Sequence, residues 1–135
     1  MAFAQWTQEY SVNVTEIDDQ HKKLFDMIDA YYEALGRQER TEALAELLEG
    51  LAQYAATHFS NEEAYFDKFG YEDADAHKKA HATLVAKVTD IATRARQGVA
   101  VLNMELATFL RDWLNSHIKV MDTKYSQCFK DNGLS

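Results

Sequence analysis

The chain has no proline in its 135 residues and only five glycines. Because proline breaks helices and alanine, leucine, glutamate and lysine favour them, this composition predicts long helices rather than a sheet. Apolar residues recur three and four positions apart in four segments, and three of these segments end at Gly36, Gly70 and Gly98. The length suits one domain, residues 1–135, with its own core. We therefore expect an all-α fold, an up-down-up-down antiparallel four-helix bundle.

The expected bundle leaves a segment at each end of the chain. Residues 1–18 are predicted to form an extended N-terminal arm, residues 19–126 the bundle, and residues 127–135 a tail that frays after Tyr125. Side chains that favour helix N-termini stand where the four helices should begin: Asp18 or Asp19, Thr41, Asp73 or Asp75, and Asn103.

Charge and composition restrict the partners and the compartment. A net charge of −8 argues against nucleic acid or an anionic membrane surface as partner. The sequence has no apolar stretch of membrane-spanning length, and its first residues lack the basic and apolar regions of a signal peptide. The single Cys128 has no partner for an internal disulfide, which favours a reducing compartment. We expect a cytoplasmic monomer.

All the histidines fall on the inward stripes of the predicted helices: His21, His58, His77, His81 and His117. Two acidic residues share these stripes, Glu62 four positions after His58 and Asp122 five after His117. Buried imidazoles and carboxylates need polar partners, and the stripes supply no inward lysine or arginine. In an antiparallel bundle the seven side chains meet at one level. Their convergence predicts a site for two metal ions.

The spacing of these residues matches metal chemistry. Side chains four apart on a helix point the same way and can hold one cation or bridge two. A regular α-helix would turn Asp122 away from His117, so we predict a π-type turn between them. Histidines with two carboxylates and no thiolate suit iron, zinc, manganese or copper. The Glu-x-x-His repeat of ferritin-like sites is missing, which disfavours that class.

Four stretches of the sequence resemble the hemerythrin family, specifically its single-domain bacterial members. They are DDQHKKLF around His21, HFSNEEAYF around His58, HKKAH with His77 and His81, and DWLNSHIKVMD ending at Asp122. These stretches extend over nearly the whole chain. They fill all seven ligand positions with the residue types, spacing and order of that family.

The resemblance implies a cofactor of two iron ions (Fe²⁺/Fe³⁺) bridged by an oxo or hydroxo group. It assigns three histidines to one iron, two to the other and two carboxylates as bridges: His77, His81 and His117; His21 and His58; Glu62 and Asp122. By this assignment the two-histidine iron keeps one open coordination position, where a small molecule can bind.

The activity implied by the resemblance is reversible dioxygen binding for storage, delivery or sensing, without catalysis, with an oxygen-consuming protein as a partner. The expected dioxygen pocket is apolar: Leu24, Phe59, Trp113, Leu114 and Ile118. Three further side chains are expected to hydrogen-bond the ligands: Glu63, Asp112 and Tyr125. Two alternatives use the same site, namely a di-iron redox enzyme acting on peroxide or nitric oxide and an iron-buffering or signalling module. The enzyme needs an additional proton donor near the open position, which the sequence does not clearly supply.

Overall fold

Four antiparallel helical rods make up the protein, in a computed structural model that describes residues 3–135. The first three are α1, Thr15–Gly36; α2, Thr41–Phe69; and α3, Ala74–Arg96. The fourth rod begins with α4, Met104–Ser116, and continues through a π-helical segment, His117–Asp122, into α5, Thr123–Asp131. α1 packs against α2 and α4, and α2 packs against α3. The predicted all-α four-helix bundle is confirmed.

Two apolar clusters fill the bundle, and a group of buried polar residues contacts both. The larger cluster draws side chains from all four rods, and the smaller one joins the end of the arm to α2 and α5. Phe59 of the larger cluster stacks on His81, with ring centroids 3.7 Å apart. Phe66 of the smaller cluster lies 4.8 Å from His77 by the same measure. None of the helices in residues 3–135 is long and apolar enough to cross a membrane.

The first helix begins earlier than the sequence predicts. α1 starts at Thr15, inside the expected arm, and neither Asp18 nor Asp19 caps it. The Asp18 carboxylate instead accepts hydrogen bonds from the backbone N–H of Val12 at 2.9 Å and from the Ser11 hydroxyl at 2.6 Å. Asp18 therefore anchors the arm to α1, a tertiary contact that a local capping rule does not include.

The other predicted caps have different outcomes. Asn103 precedes α4, and its side-chain oxygen accepts a hydrogen bond from the backbone N–H of Leu106 at 3.2 Å, as expected. Thr41 is already the first residue of α2, so it is not the cap. Asp73 takes the N-cap position of α3 without a side-chain bond, and Asp75 lies inside the first turn.

The C-terminal segment is helical, so the prediction of a frayed tail after Tyr125 is wrong. α5 runs to Asp131, and Phe129 is fully buried. The ring of Phe129 stacks on that of Tyr125, with centroids 4.3 Å apart. The two aromatic residues are four positions apart and share one helix face, so their burial against the smaller apolar cluster holds this last helix in place.

Candidate metal centre

The structure brings all seven predicted ligands together in the interior. None is more than 5% exposed. Their ligand atoms form two groups, each with all its atoms within 4.8 Å of one another. We call them the three-histidine cluster and the two-histidine cluster, and their members are His77, His81, His117 and Asp122 in the first and His21, His58 and Glu62 in the second. Every rod of the bundle contributes at least one of these side chains.

In the three-histidine cluster the imidazoles direct their Nε2 atoms at a common point. The Nε2 of His117 lies 3.0 Å from that of His77 and 3.1 Å from that of His81. The Asp122 Oδ1 lies 2.8 Å from the His77 Nε2 and 3.1 Å from the His117 Nε2. The π-helical segment makes this possible, because its widened turn puts Asp122 on the same side as His117. The predicted π turn is present.

The two-histidine cluster lies directly beside the first, and both carboxylates contact both clusters. Asp122 directs its Oδ2 at the Nε2 of His21, 3.1 Å away, while its Oδ1 faces the three-histidine cluster. The Glu62 Oε1 lies 3.1 Å from the His58 Nε2 and 3.5 Å from the His81 Nε2. Each carboxylate is thus within reach of donors from both groups.

The polar atoms of this centre match the needs of metal cations. Six buried atoms have no hydrogen-bond partner among residues 3–135: Nδ1 and Nε2 of His21, Nε2 of His58, Oε1 of Glu62 and both carboxylate oxygens of Asp122. An unpartnered buried polar atom destabilises a protein by about 1–3 kcal/mol, and a buried charge by more. No lysine or arginine is buried in the described part of the chain. Cations held between the imidazoles and carboxylates would satisfy these atoms, so the donor set fits two metal ions.

The protonation states also favour metal binding. Burial, with the neighbouring His117 and His77, lowers the pKa of His81 to about 2, so this imidazole is neutral at physiological pH. Burial alone would raise the pKa of Asp122, but the charge of His117 and the close approach of the His117, His21 and His77 imidazoles hold it well below its usual range. A neutral imidazole and an ionised carboxylate are the forms that coordinate metal ions.

Two side chains accept hydrogen bonds from Nδ1 atoms of ligand histidines, the ring nitrogens that point away from the centre. The Glu63 carboxylate, one of the predicted partners, lies 2.9 Å from the Nδ1 of His81. The Gln20 Oε1 lies 2.6 Å from the Nδ1 of His58. Gln20 was missed by the sequence analysis, although its position immediately before a predicted ligand histidine was a signal. In both pairs Nδ1–H donates to oxygen, which leaves the Nε2 lone pair facing the cluster.

The two other predicted partners behave differently. Asp112 forms no hydrogen bond or ion pair with a ligand among the described residues: its side chain is 60% exposed and accepts a hydrogen bond from the neighbouring Arg111 Nε at 3.1 Å. Tyr125 is fully buried, and its hydroxyl donates to the Oε2 of Glu62 rather than to a histidine. Burial and the nearby Glu62 raise the pKa of Tyr125 well above its ordinary value, so the hydroxyl keeps its proton at neutral pH.

An apolar cavity of about 20 Å³ lies next to the centre. Four of the five predicted pocket residues line it: Leu24, Phe59, Trp113 and Leu114. Ile118 is fully buried in the same apolar cluster but does not line the cavity. Trp113 stacks on His117, with ring centroids 4.4 Å apart. A cavity of this size accommodates about one small molecule, and its lining offers no ionisable group.

Fold and site together define a helical-bundle protein with a buried, histidine-rich centre for two cations. The model of the hemerythrin HHE cation binding domain matches residues 12–128. The chain is 37% identical to a bacteriohemerythrin of Methylococcus capsulatus, over 95% of this chain and 98% of that protein. It is 31% identical to a myohemerythrin of Theromyzon tessulatum, over 90% of this chain and 89% of that protein.

Solved structures agree with the sequence relatives. A wild-type hemerythrin crystal structure superposes with a TM-score of 0.88 at 35% identity, over 94% of this chain and 98% of that one. A single-residue variant of hemerythrin reaches a TM-score of 0.89 at the same identity. The chain belongs to the hemerythrin family. Membership implies a di-iron centre, and the two clusters supply histidine and carboxylate donors for it.

Proposed function

We propose that this protein binds dioxygen reversibly at a non-heme di-iron centre. The observation that carries the proposal is the buried pair of clusters, whose unpartnered nitrogen and oxygen atoms need two cations. Similarity to a bacteriohemerythrin and a myohemerythrin over nearly the full chain supports the same activity. An oxygen-consuming protein is the recipient that such a binder would serve.

The ligand assignment follows the two clusters. We assign His77, His81 and His117 to one iron and His21 and His58 to the other, with Glu62 and Asp122 bridging both beside an oxo or hydroxo group. The contacts of each carboxylate with both clusters support this assignment. The two-histidine cluster has fewer side-chain donors, which supports an open position there. When bound, ferrous ions supply the electrons for reversible oxygen binding.

The surrounding residues favour binding over further chemistry. The apolar lining of the cavity, which includes Leu24, Phe59 and Leu114, would limit access of water to the centre and so slow the oxidation of the ferrous ions by dioxygen to the ferric state. The Tyr125 hydroxyl is already engaged with Glu62. A redox enzyme acting on peroxide would need a free proton donor at the open position, so we assign a binding role rather than catalysis.

Visible absorption of the iron-loaded, anaerobically reduced protein tests this function. We expect a nearly colourless protein that gains visible bands in air and loses them when oxygen is removed. A permanent change on first contact with oxygen would contradict reversible binding and favour a redox enzyme or sensor. Absence of visible bands in air from protein with two bound irons would reject oxygen binding at this centre.

A further inference from the structure

The two clusters differ in the charge of the side chain that accepts a hydrogen bond from the Nδ1 of one of their histidines. The His81 Nδ1–H donates to the Glu63 carboxylate at 2.9 Å, in the three-histidine cluster. The His58 Nδ1–H donates to the neutral Gln20 amide oxygen at 2.6 Å, in the two-histidine cluster. Both contacts are within hydrogen-bond distance, and the two acceptors differ by one negative charge.

Glu63 forms no direct ion pair with a lysine or arginine of the described residues, although the positive charge of Lys78 acts on it from a greater distance. Lys78, the nearest candidate, places its Nζ 2.6 Å from the Asp67 carboxylate and forms its ion pair there. Within 4.0 Å of Glu63 the described residues offer no lysine or arginine, and the carboxylate contacts only the neutral imidazole of His81 among the ionisable side chains. Glu63 is 28% exposed, so water screens part of its charge, but its bond to His81 lies against a buried ring.

A carboxylate partner makes an imidazole a better ligand. A hydrogen bond to a charged acceptor is roughly twice as strong as one to a neutral acceptor. As Nδ1–H shifts electron density toward the acceptor, the opposite Nε2 becomes more basic and binds a cation more tightly. Loss of such a partner typically weakens metal affinity by roughly 10- to 100-fold.

We propose that Glu63 makes the three-histidine cluster the tighter cation site, which fills first, while the Gln20-supported two-histidine cluster fills second and releases its ion first. This inference rests on the proposed function only in requiring that both clusters bind a cation. It predicts a singly loaded intermediate with its ion on His77, His81 and His117. It also makes the ion next to the proposed open position the more easily lost of the two.

Titration of the chelator-treated full-length protein with Co²⁺ under anaerobic conditions tests the order of filling. Calorimetry and the visible Co²⁺ absorption bands should resolve two binding steps. Glu63→Gln keeps the shape of the side chain and a hydrogen-bonding oxygen, and should weaken the tighter step roughly 10- to 100-fold while changing the weaker step little. Gln20→Glu should strengthen the weaker step.

Two control variants assign the steps and exclude a general charge effect. Glu46→Gln makes the same change at an exposed position about 25 Å along α2 from Glu63, and should leave both Co²⁺ constants within about twofold. His21→Ala should abolish the weaker step and retain the tighter one. Circular dichroism and thermal unfolding of each variant without Co²⁺ establish that it is folded.

The outcomes separate this inference from the proposed function. Equal weakening of both steps in Glu63→Gln, or no weakening, would overturn the role of Glu63, because the number of ligands alone would then set the order. Loss of the tighter step in His21→Ala would overturn the assignment of the sites. Failure of the wild-type protein to bind Co²⁺ at all would reject the metal centre itself.

Discussion

The Tyr125 hydroxyl and the Glu62 carboxylate form a hydrogen bond in which both side chains are fully buried. Tyr125→Phe leaves the Glu62 Oε2 without this donor, so we expect a loss of about 1–3 kcal/mol in the free energy of unfolding. Urea denaturation measures it. Tyr65→Phe, which removes an exposed bond to Glu16 of 2.7 Å, should change stability by less than about 1 kcal/mol. Equal losses in the two variants would contradict a special role for the buried bond.

Leu114 forms part of the apolar wall beside the metal centre. We expect Leu114→Ala to retain two irons but to shorten the lifetime of the oxygen-dependent visible bands several-fold, because water gains access to the cavity. Both Leu114→Ala and the control Leu106→Ala, a buried leucine on the same helix outside the cavity, should lose about 2–5 kcal/mol of stability. An unchanged band lifetime in Leu114→Ala would show that this side chain does not exclude water.

Tyr31 gives a pH-dependent prediction away from the centre. Its hydroxyl is buried without a hydrogen-bond partner among residues 3–135, and burial raises its pKa to about 12 from 10.0. The pKa of Tyr31 is higher in the folded state than in the unfolded state. The free energy of unfolding is therefore unaffected by its ionisation below pH 10, and falls as the pH rises from 10 to about 12. Tyr31→Phe should therefore lose less stability than the wild-type protein between about pH 10 and 12. At neutral pH it should be at least as stable as the wild type.

Urea unfolding at neutral pH and near pH 11 measures this difference for Tyr31→Phe. Tyr32→Phe, at the next position of α1 and only partly buried, is the control and should behave like the wild-type protein. If the stability of Tyr31→Phe falls with pH as steeply as that of the wild type, another group accounts for the alkaline loss.

At the level of single residues, helix spacing predicted which side chains converge but not all of their outer contacts. The stripes of α2 and α3 bring His58, Glu62, His77 and His81 inward because positions four apart share a face. Gln20 reaches a histidine on a different helix, a contact that depends on the rotation of α1 against α2. Spacing within one helix contains no information about that rotation.

The π-helical segment, His117–Asp122, is the element on which the centre depends most. Its bonds join residues five apart instead of four, so it holds one more residue than a regular turn. If one residue of the segment were removed, Asp122, Tyr125 and Phe129 would follow His117 by four, seven and eleven positions. That is the spacing of a single α-helical face. The segment therefore compensates for one additional residue.

Deletion of Val120, a residue 57% exposed inside the segment, tests this interpretation. We expect the variant to fold with a regular fourth rod and a thermal midpoint close to that of the wild type, but with weaker Co²⁺ binding, because the backbone path to Asp122 changes. Deletion of Thr108 in the regular part of α4 should rotate everything after it by about 100° and cost more than about 4 kcal/mol. Equal destabilisation by both deletions would contradict the interpretation.

Helix ends show which local signals can be read from the sequence. Gly70 ends α2 at the predicted place because its φ of 64° is one that glycine adopts without strain, and Asn103 caps α4 through its own side chain. α1 and α5 extend beyond their predicted limits because residues outside each helix stabilise the extra turns through tertiary contacts. Asp18 binds the arm, and Phe129 enters a cluster formed by several segments.

Considered as a whole, the molecule places five histidines and two carboxylates in its interior and should gain stability from the cations that they bind. A cation that binds only the folded state stabilises it by about 2.7 kcal/mol at a free concentration one hundred times its Kd. We expect the thermal midpoint to rise with Co²⁺ concentration and to fall when a chelator is added. Ca²⁺, which prefers oxygen ligands, should raise it less. Equal midpoints with Co²⁺ and chelator would exclude coupling between metal binding and folding.

The overall topology was predictable because composition and spacing agree along most of the chain. Four apolar stripes, no proline and short connections leave an antiparallel bundle as the simplest arrangement, and that arrangement alone brings the histidines of α1, α2, α3 and the fourth rod to one level. Interatomic distances within the centre depend on how the helices are rotated and shifted against each other, which packing of the complete core determines.

The extra residue of the π-helical segment shifts the helical register between the two halves of the fourth rod. Before it, the inward face of α4 belongs to the larger apolar cluster; after it, the inward face of α5 belongs to the smaller one. The two halves follow separate helical registers. Along the chain, the ligand His117 is the first residue of the segment and the ligand Asp122 is its last. Between the start of α4 and Phe129, changes of chain length should therefore be tolerated best at this boundary.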